Sequence, residues 1–224
     1  LTVDLTSVAE TAPIPGTVRA TDETVIGSRI LATVTRMRVN AGDPVQEGDL
    51  LVELDSSGPR SVLEQREQAA TSARAALEEA ENNRARAERL FQSGNLSRAD
   101  YDRALTNHRV AQAEAERAVH AAVEARTQLG YTRITAPMSG TVVEHYLEAG
   151  DTATPGQPLL KLFNPGRLRV EAILRESLIR FVVPGSELDA HIDALRITVP
   201  STVEEIVPSA DPGSRTFTIK ALLP

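Results

Sequence analysis

The chain is predicted to fold as an elongated, modular α+β protein. An antiparallel coiled-coil α-hairpin is inserted into a small β domain that is split in sequence, and a small β-barrel follows. Three observations predict this. Residues 30–54 (ILATVTRMRVNAGDPVQEGDLLVEL) align without a gap with residues 138–162 (MSGTVVEHYLEAGDTATPGQPLLKL), at a constant offset of 108. Thr33 falls on Thr141, Val34 on Val142, Ala41-Gly42-Asp43 on Ala149-Gly150-Asp151, Gly48 on Gly156, Leu51 on Leu159 and Leu54 on Leu162. Two matched β half-motifs so far apart indicate one small domain built from both, and what lies between must leave that domain and return. Between Pro59 and Leu129, alanine, glutamate, arginine and glutamine dominate, and Gly94 is the only glycine. These are strong helix formers. Beyond residue 166 the texture is one of short apolar runs at regular spacing, the pattern of a small barrel.

Each element can be justified in turn. Residues 1–24, with Pro13 and Pro15, are an extended segment with a strand from Thr17, expected to pair with the barrel region. Residues 25–57 and 130–164 are the two halves of the split domain. Gly42-Asp43-Pro44 makes a tight turn, and 50–54 (LLVEL) is a strand ended by Asp55-Ser56-Ser57-Gly58-Pro59. Residues 58–129 form the hairpin. Leu63, Ala70, Leu77, Arg84 and Phe91 recur every seven residues, with Ala73, Ala80 and Ala87 between them. On the second arm Ala104, His108, Ala111, Ala115, Ala118, Ala122, Ala125 and Leu129 alternate in steps of four and three, which is coiled-coil spacing. The break is legible too. Gly94 suits the left-handed position after a helix, and Asn95 continues the turn. Ser97 can cap the second helix, with Asp100 three residues on. Residues 165–224 are the barrel, expected to be incomplete at its C-terminal end. Its elements are a strand at 168–174, a helix at 176–182 ended by Pro184-Gly185, and strands at 188–192, 195–199, 202–207 and 215–222. Hinges are expected at 55–59 and 164–167.

Composition narrows the function. Hydrophobic residues make up 41% but aromatics only 3%, which suits thin modules better than one thick core. The net charge of −7 argues against nucleic-acid binding, which wants a basic face. No run of eighteen apolar residues is present to span a membrane. Cysteine is absent, which excludes disulfides and thiol chemistry. The chain begins at Leu1 rather than Met, as expected of a processed or excised protein.

The half-motifs resemble a lipoyl/biotinyl-carrier domain, a barrel-sandwich hybrid. Ala136-Pro137-Met138-Ser139-Gly140-Thr141-Val142 is similar to its APxxGxV signature, and residues 40–49 to its xxGDxVxxGD turn. In carriers the modified lysine sits on the hairpin joining the halves. Here that place holds Leu54-Asp55-Ser56, and the only lysines are Lys161 and Lys220. A split lipoyl domain carrying a helical hairpin and followed by a β-barrel resembles the periplasmic adaptor, or membrane fusion protein, family of HlyD/RND type, over nearly the whole chain. Arg89-Leu90, six residues, then Ser97 is similar to the RLxxxxxxS pattern with which such adaptors dock onto TolC-type channels. Val203-Glu204-Glu205-Ile206-Val207-Pro208 with Asp211 and Arg215-Thr216-Phe217 resembles the closing part of the RND adaptor barrel.

The resemblance implies a docking tip formed by Arg89, Leu90, Gly94, Leu96 and Ser97. It implies an outer-membrane channel and an inner-membrane transporter as partners. It also implies a hexameric ring or trimer of dimers, and a periplasmic location anchored to the inner membrane through a segment absent from this chain. The same residues have simpler readings. Arg89 can be a solvated helix arginine, Ser97 a helix cap, Leu90 and Leu96 packing inside the tip, and His108 a polar residue tolerated on the seam. His120, His145 and His191 are isolated, so no metal site is expected. No nucleophile elbow or phosphate-binding loop occurs, so neither catalytic residues nor a cofactor are expected. The alternatives are a biotin or lipoyl carrier domain of an enzyme, an adaptor of an ABC-type exporter, and a coiled-coil scaffold unrelated to transport.

Overall fold

The computed structural model describes residues 12–208 and 215–224. The first eleven residues of the N-terminal segment, and Asp211 of the barrel motif, lie outside the described residues. Strands β1 (Gly16–Ala20), β2 (Glu23–Gly27), β3 (Ala32–Met37), β4 (Pro44–Val45) and β5 (Leu50–Leu54) lead into helices α1 (Ser57–Gln92) and α2 (Arg98–Gly130). There follow β6 (Arg133–Thr135), β7 (Gly140–His145), β8 (Thr152–Ala153) and β9 (Pro158–Phe163), then β10 (Leu168–Arg175), a short α3 (Glu176–Ile179), β11 (Glu187–Ile192), β12 (Ile197–Pro208) and β13 (Thr216–Leu222).

The split domain is two four-stranded antiparallel sheets, ordered β2-β9-β7-β4 and β6-β5-β3-β8. Each takes two strands from each half of the chain, and the 108-residue offset converts one sheet into the other. The hydrogen bonds obey the same offset. Gly42 N donates to Val142 O at 2.9 Å, and Gly150 N donates to Val34 O at 2.8 Å. Gly48 N donates to Ala136 O, and Gly156 N to Ser28 O. The repeated Gly-Asp pairs have a physical reason. Gly42 and Gly150 adopt φ of +93° and +103°, which side chains strongly disfavour. The following Asp43 and Asp151 close each turn by accepting from the amides of Asn40 (2.7 Å) and Glu148 (2.8 Å). At the second turn Asp49 accepts from Gln46 N, and Gln157 does the same work for Thr154 N. Val34 and Val142, Leu51 and Leu159, Val52 and Leu160, and Leu54 and Leu162, each pair related by the offset, are all buried in one cluster.

The helices α1 and α2 lie side by side and antiparallel, with Glu67 near the start of one paired to Arg126 near the end of the other. At 1.5 Å per residue α1 is about 54 Å long. The less exposed positions on α1 include Leu63, Ala70, Ala73, Leu77, Ala80, Arg84, Ala87 and Phe91, and also Glu67, Ala85 and Glu88. On α2 they include Tyr101, Ala104, His108, Ala111, Ala115, Ala118, Ala122, Ala125 and Leu129, and also Leu105, Val119 and Ala121. Only Ala70, Ala115 and Ala125 are fully buried, because alanine lets the helices approach but covers little area.

The C-terminal region differs from expectation in three respects. Its strands form one antiparallel sheet, β1-β10-β13-β12-β11, and among the described residues no ladder joins the edge strands β1 and β11 into a closed barrel. The helix expected at 176–182 stops at Ile179. Phe181 N and Val182 N bond three residues back in a tightening turn, because Val182 and Val183 are β-branched and Val183 precedes proline. The strands expected at 195–199 and 202–207 are one, β12. It runs through Pro200, which is tolerated because β12 there has a single neighbour, β11, so a missing N–H breaks no second ladder. The split domain also begins earlier than residue 25. The strand β1 pairs with β10, whereas β2, starting at Glu23, pairs with β9.

This architecture puts the stability in the β core. Leu160→Ala, at a fully buried position, should lower the free energy of urea unfolding by about 2–5 kcal/mol. Leu77→Ala, on the half-exposed seam, should cost clearly less.

Candidate functional site

The hairpin tip is built by its own backbone. Gly94 sits at φ +77°, and no atom lies within 4 Å of where a Cβ would be, so backbone conformation alone selects glycine. Asn95 N donates to Leu90 O at 2.8 Å and Gly94 N to Phe91 O at 3.0 Å, the pair of bonds that ends a helix in a Schellman motif. Ser93 Oγ also donates to Leu90 O, and Asn95 Nδ2 to Ser93 Oγ. Two residues on, the Ser97 hydroxyl accepts from Asp100 N (3.2 Å) and donates to Asp100 Oδ2 (2.6 Å), starting α2.

The residues expected to dock are brought together around this turn. Arg89 is exposed in the last turn of α1, where a cation complements the helix dipole. Leu90 is 41% exposed. Leu96 is half-buried and Ser97 exposed, with its hydroxyl engaged in the cap. Arg86, one helical turn before Leu90, shares its exposed face. Among the described residues neither Arg86 nor Arg89 has an ion-pair partner, whereas Arg98 pairs with Asp102 and Arg103 with Asp100. The sequence reading missed one feature. Phe91 and Tyr101 stack across the turn, with ring centroids 5.1 Å apart and planes 12° from parallel. The Arg98 guanidinium lies 5.7 Å and 6.0 Å from the two ring centroids. The available signal was that two of so few aromatic residues flank the same break.

The other end of the hairpin is bound to the split domain on both limbs. Leu54 N donates to Thr132 O and Asp55 N to Thr33 O, each at 2.8 Å. Thr132 is buried, and its hydroxyl donates to Leu129 O at 2.7 Å, satisfying a carbonyl at the end of α2. Arg29 lies over the Tyr131 ring at 5.2 Å. Asp55 Oδ1 accepts from Ser57 N at 2.9 Å. This backbone hydrogen bond, with a second from the Ser57 side chain, holds the Asp55 carboxyl below its usual range. The hinge expected at 55–59 is therefore a bonded junction. Gly58 and Pro59 fall inside the first turn of α1, where proline's missing N–H is no loss. At 164–167 the two chain segments also bond to each other, through Asn164 N to Asp22 O and Thr21 N to Arg167 O.

Neither lysine is placed for cofactor attachment. Lys161 lies in β9, paired with Glu23 at 2.8 Å, and Lys220 in β13, paired with Glu205 at 2.7 Å. Among the described residues no cluster of three metal-ligating side chains occurs, and no helix is long and apolar enough to cross a membrane.

Comparison with known proteins agrees with this fold. The family model described as RND MFP, barrel-sandwich hybrid domain, matches residues 22–163, which contain the split domain and the whole hairpin. No curated protein gives a significant match. Among solved structures, the membrane fusion protein Spr0693 from Streptococcus pneumoniae R6 is 18% identical, with a TM-score of 0.74 over 93% of this chain and 89% of that one. MacA from Actinobacillus actinomycetemcomitans is 22% identical, with a TM-score of 0.72 over 93% and 70%. ZneB from Cupriavidus metallidurans is 22% identical, with a TM-score of 0.58 over 93% and 89%. At these identities the likeness is one of fold.

Two measurements test the ends of the hairpin. Gly94→Ala should destabilise the tip by about 1–2 kcal/mol, the cost of the left-handed conformation, seen as faster amide exchange at residues 90–97. The Asp55 contribution is complete above the ordinary carboxylate pKa of about 3.9 and is lost as the pH falls through the lowered value. Asp55→Asn keeps an acceptor but no charge. The stability of the variant should therefore fall less steeply than that of the parent between pH 5 and pH 2, measured by thermal unfolding.

Proposed function

The chain belongs to the RND membrane fusion protein family, the adaptors of efflux systems, and we propose from this that it joins an inner-membrane transporter of RND type to a TolC-like outer-membrane channel. The two helices act as a coiled-coil rod in the periplasm. The split domain and the C-terminal sheet stack with other copies into a hexameric ring or trimer of dimers at the inner membrane. The mechanism is geometric: the ring seals a conduit, and the tip seats it on the channel. No bond is made or broken by the adaptor.

The observation that carries this reading is the state of the tip. A rigid turn, held by its own hydrogen bonds, presents an exposed leucine and arginines without internal partners. Arg89, with Arg86 beside it, offers planar donors to carbonyls or carboxylates at helix ends of a channel. Leu90 supplies apolar contact, Leu96 and Gly94 shape the turn, and Ser97 adds a hydroxyl from the mouth of α2. The RND assignment rests on the family model more than on the 215–217 segment, since Phe217 packs against the apolar cluster of its own sheet. The carrier-domain alternative loses support because both lysines lie within strands, in ion pairs.

The absence of cysteine provides the test. A single Asn95→Cys in the full-length protein should cross-link in cells to cysteines at the periplasmic end of the cognate channel, and Arg89→Asp should abolish the link. If no position around the tip cross-links while the protein folds and export proceeds normally, the docking reading is wrong.

A further inference from the structure

We infer that Phe91, Tyr101 and Arg98 form a clamp that holds the tip closed and so positions Arg89, Leu90 and Ser97. The inference rests on the docking role proposed above. Apolar contact is sparse along the rest of the distal seam. Counting in sevens from the observed Phe91–Tyr101 pair, the next seam layer towards the base sets Arg84 against His108, and the one after sets Leu77 against Ala115. Between them lie Ala87 with Ala104 and Ala80 with Ala111. Alanine layers bury little. The Arg84 layer gives less still, since its Nε is shut away from solvent with no hydrogen-bond partner. Leu77 is fourteen residues from Phe91, about 21 Å down the rod. The aromatic stack is thus the large side-chain contact that sits directly beneath the turn, with the half-buried Leu105 the next large apolar residue along α2.

The geometry of the clamp suits this duty. The rings are nearly parallel and in contact, and each comes from the helical turn next to the loop, one per helix. Arg98 lies over both rings and is itself fixed by both carboxylate oxygens of Asp102, each 3.1 Å from its Nε. The carbonyl of Phe91 receives Gly94 N, so the residue that stacks also anchors the left-handed turn. Without the rings, the last turn of α1 and the first turn of α2 can separate while the base stays bonded. The docking residues would then no longer share one geometry.

Local opening separates this from a global effect. In the 224-residue chain, Tyr101→Ala and Phe91→Ala should speed amide exchange at residues 85–107 by about tenfold or more, as expected when a stacked pair is lost. The β-domain amides should stay at parental rates. Tyr101→Phe keeps the ring and should leave both regions unchanged. A disulfide from Ala87→Cys with Ala104→Cys, introduced beside Tyr101→Ala, should restore slow exchange at the tip. In the full-length protein, Tyr101→Ala should reduce the Asn95→Cys cross-link to the channel, and Tyr101→Phe should not. Parental exchange in Tyr101→Ala overturns the clamp. Fast exchange with an undiminished cross-link shows that the clamp holds the tip but does not position it. If the parent Asn95→Cys protein itself gives no cross-link, the docking role fails and the positioning claim falls with it, while the exchange data still decide whether the rings hold the turn.

Discussion

Everything in this molecule depends on the exchange of strands between two half-motifs 108 residues apart. Neither half can cover its own apolar face. The strands β3 and β5 lie in the sheet that β6 and β8 complete, and β7 and β9 in the sheet that β2 and β4 complete. The core exists only when the chain has returned, and the chain returns only if the intervening helices run out and back with matched lengths. The bonds at Leu54–Thr132 and Asp55–Thr33 are where that requirement is met. They join the first helix, the second helix and both halves of the domain within three residues of one another.

This constraint explains how a long, slender helix pair can be stable with so little of its own. An isolated pair with an alanine seam would bury too little to offset the ordering of about seventy residues. Attached at its base to a closed core, it inherits a fixed starting geometry. The caps then matter more than the middle. Asp55 starts α1, Thr132 satisfies the end of α2, and Ser97 and Gly94 shape the far turn.

Much of this was legible in the sequence because the relevant signals are local and discrete. Repeated Gly-Asp turns mark positions where backbone φ must be positive, and the side chain immediately after the glycine closes the turn. The residues at heptad spacing are among the less exposed positions of both helices, and Gly94 and Ser97 were readable as caps. The misses were of another kind. The end of α3 and the unity of β12 depend on neighbours. Pro200 reads as a break unless one knows that β12 has a single partner there. Whether five strands close into a barrel depends on edges that no local pattern encodes. At the tip, Phe91 was visible as a seam residue, but its partner Tyr101 was not. The pairing crosses the loop, and Tyr101 lies just ahead of the seam residues that spacing identified on α2. Gly58 and Pro59 suggested a hinge by composition, yet in the first helical turn both are compatible with a rigid start.

The distribution of charge follows the same division between ends and middle. Along the rod, ion pairs such as Arg117 with Glu114 link neighbouring turns on solvated faces, and exposed pairs of this kind add little. At the tip the pattern changes. Arg98 and Arg103 are paired with aspartates of their own helix, which uses their charge to shape the turn. Arg86 and Arg89 are left over, in a chain whose net charge is −7. Had all four been paired, the tip would be electrostatically complete and indifferent to a partner. Had none been, mutual repulsion would work against the hydrogen bonds and the aromatic pair at the turn. Pairing the inner arginines and leaving the outer ones free satisfies both demands, and it places the unsatisfied donors on the face that also exposes Leu90.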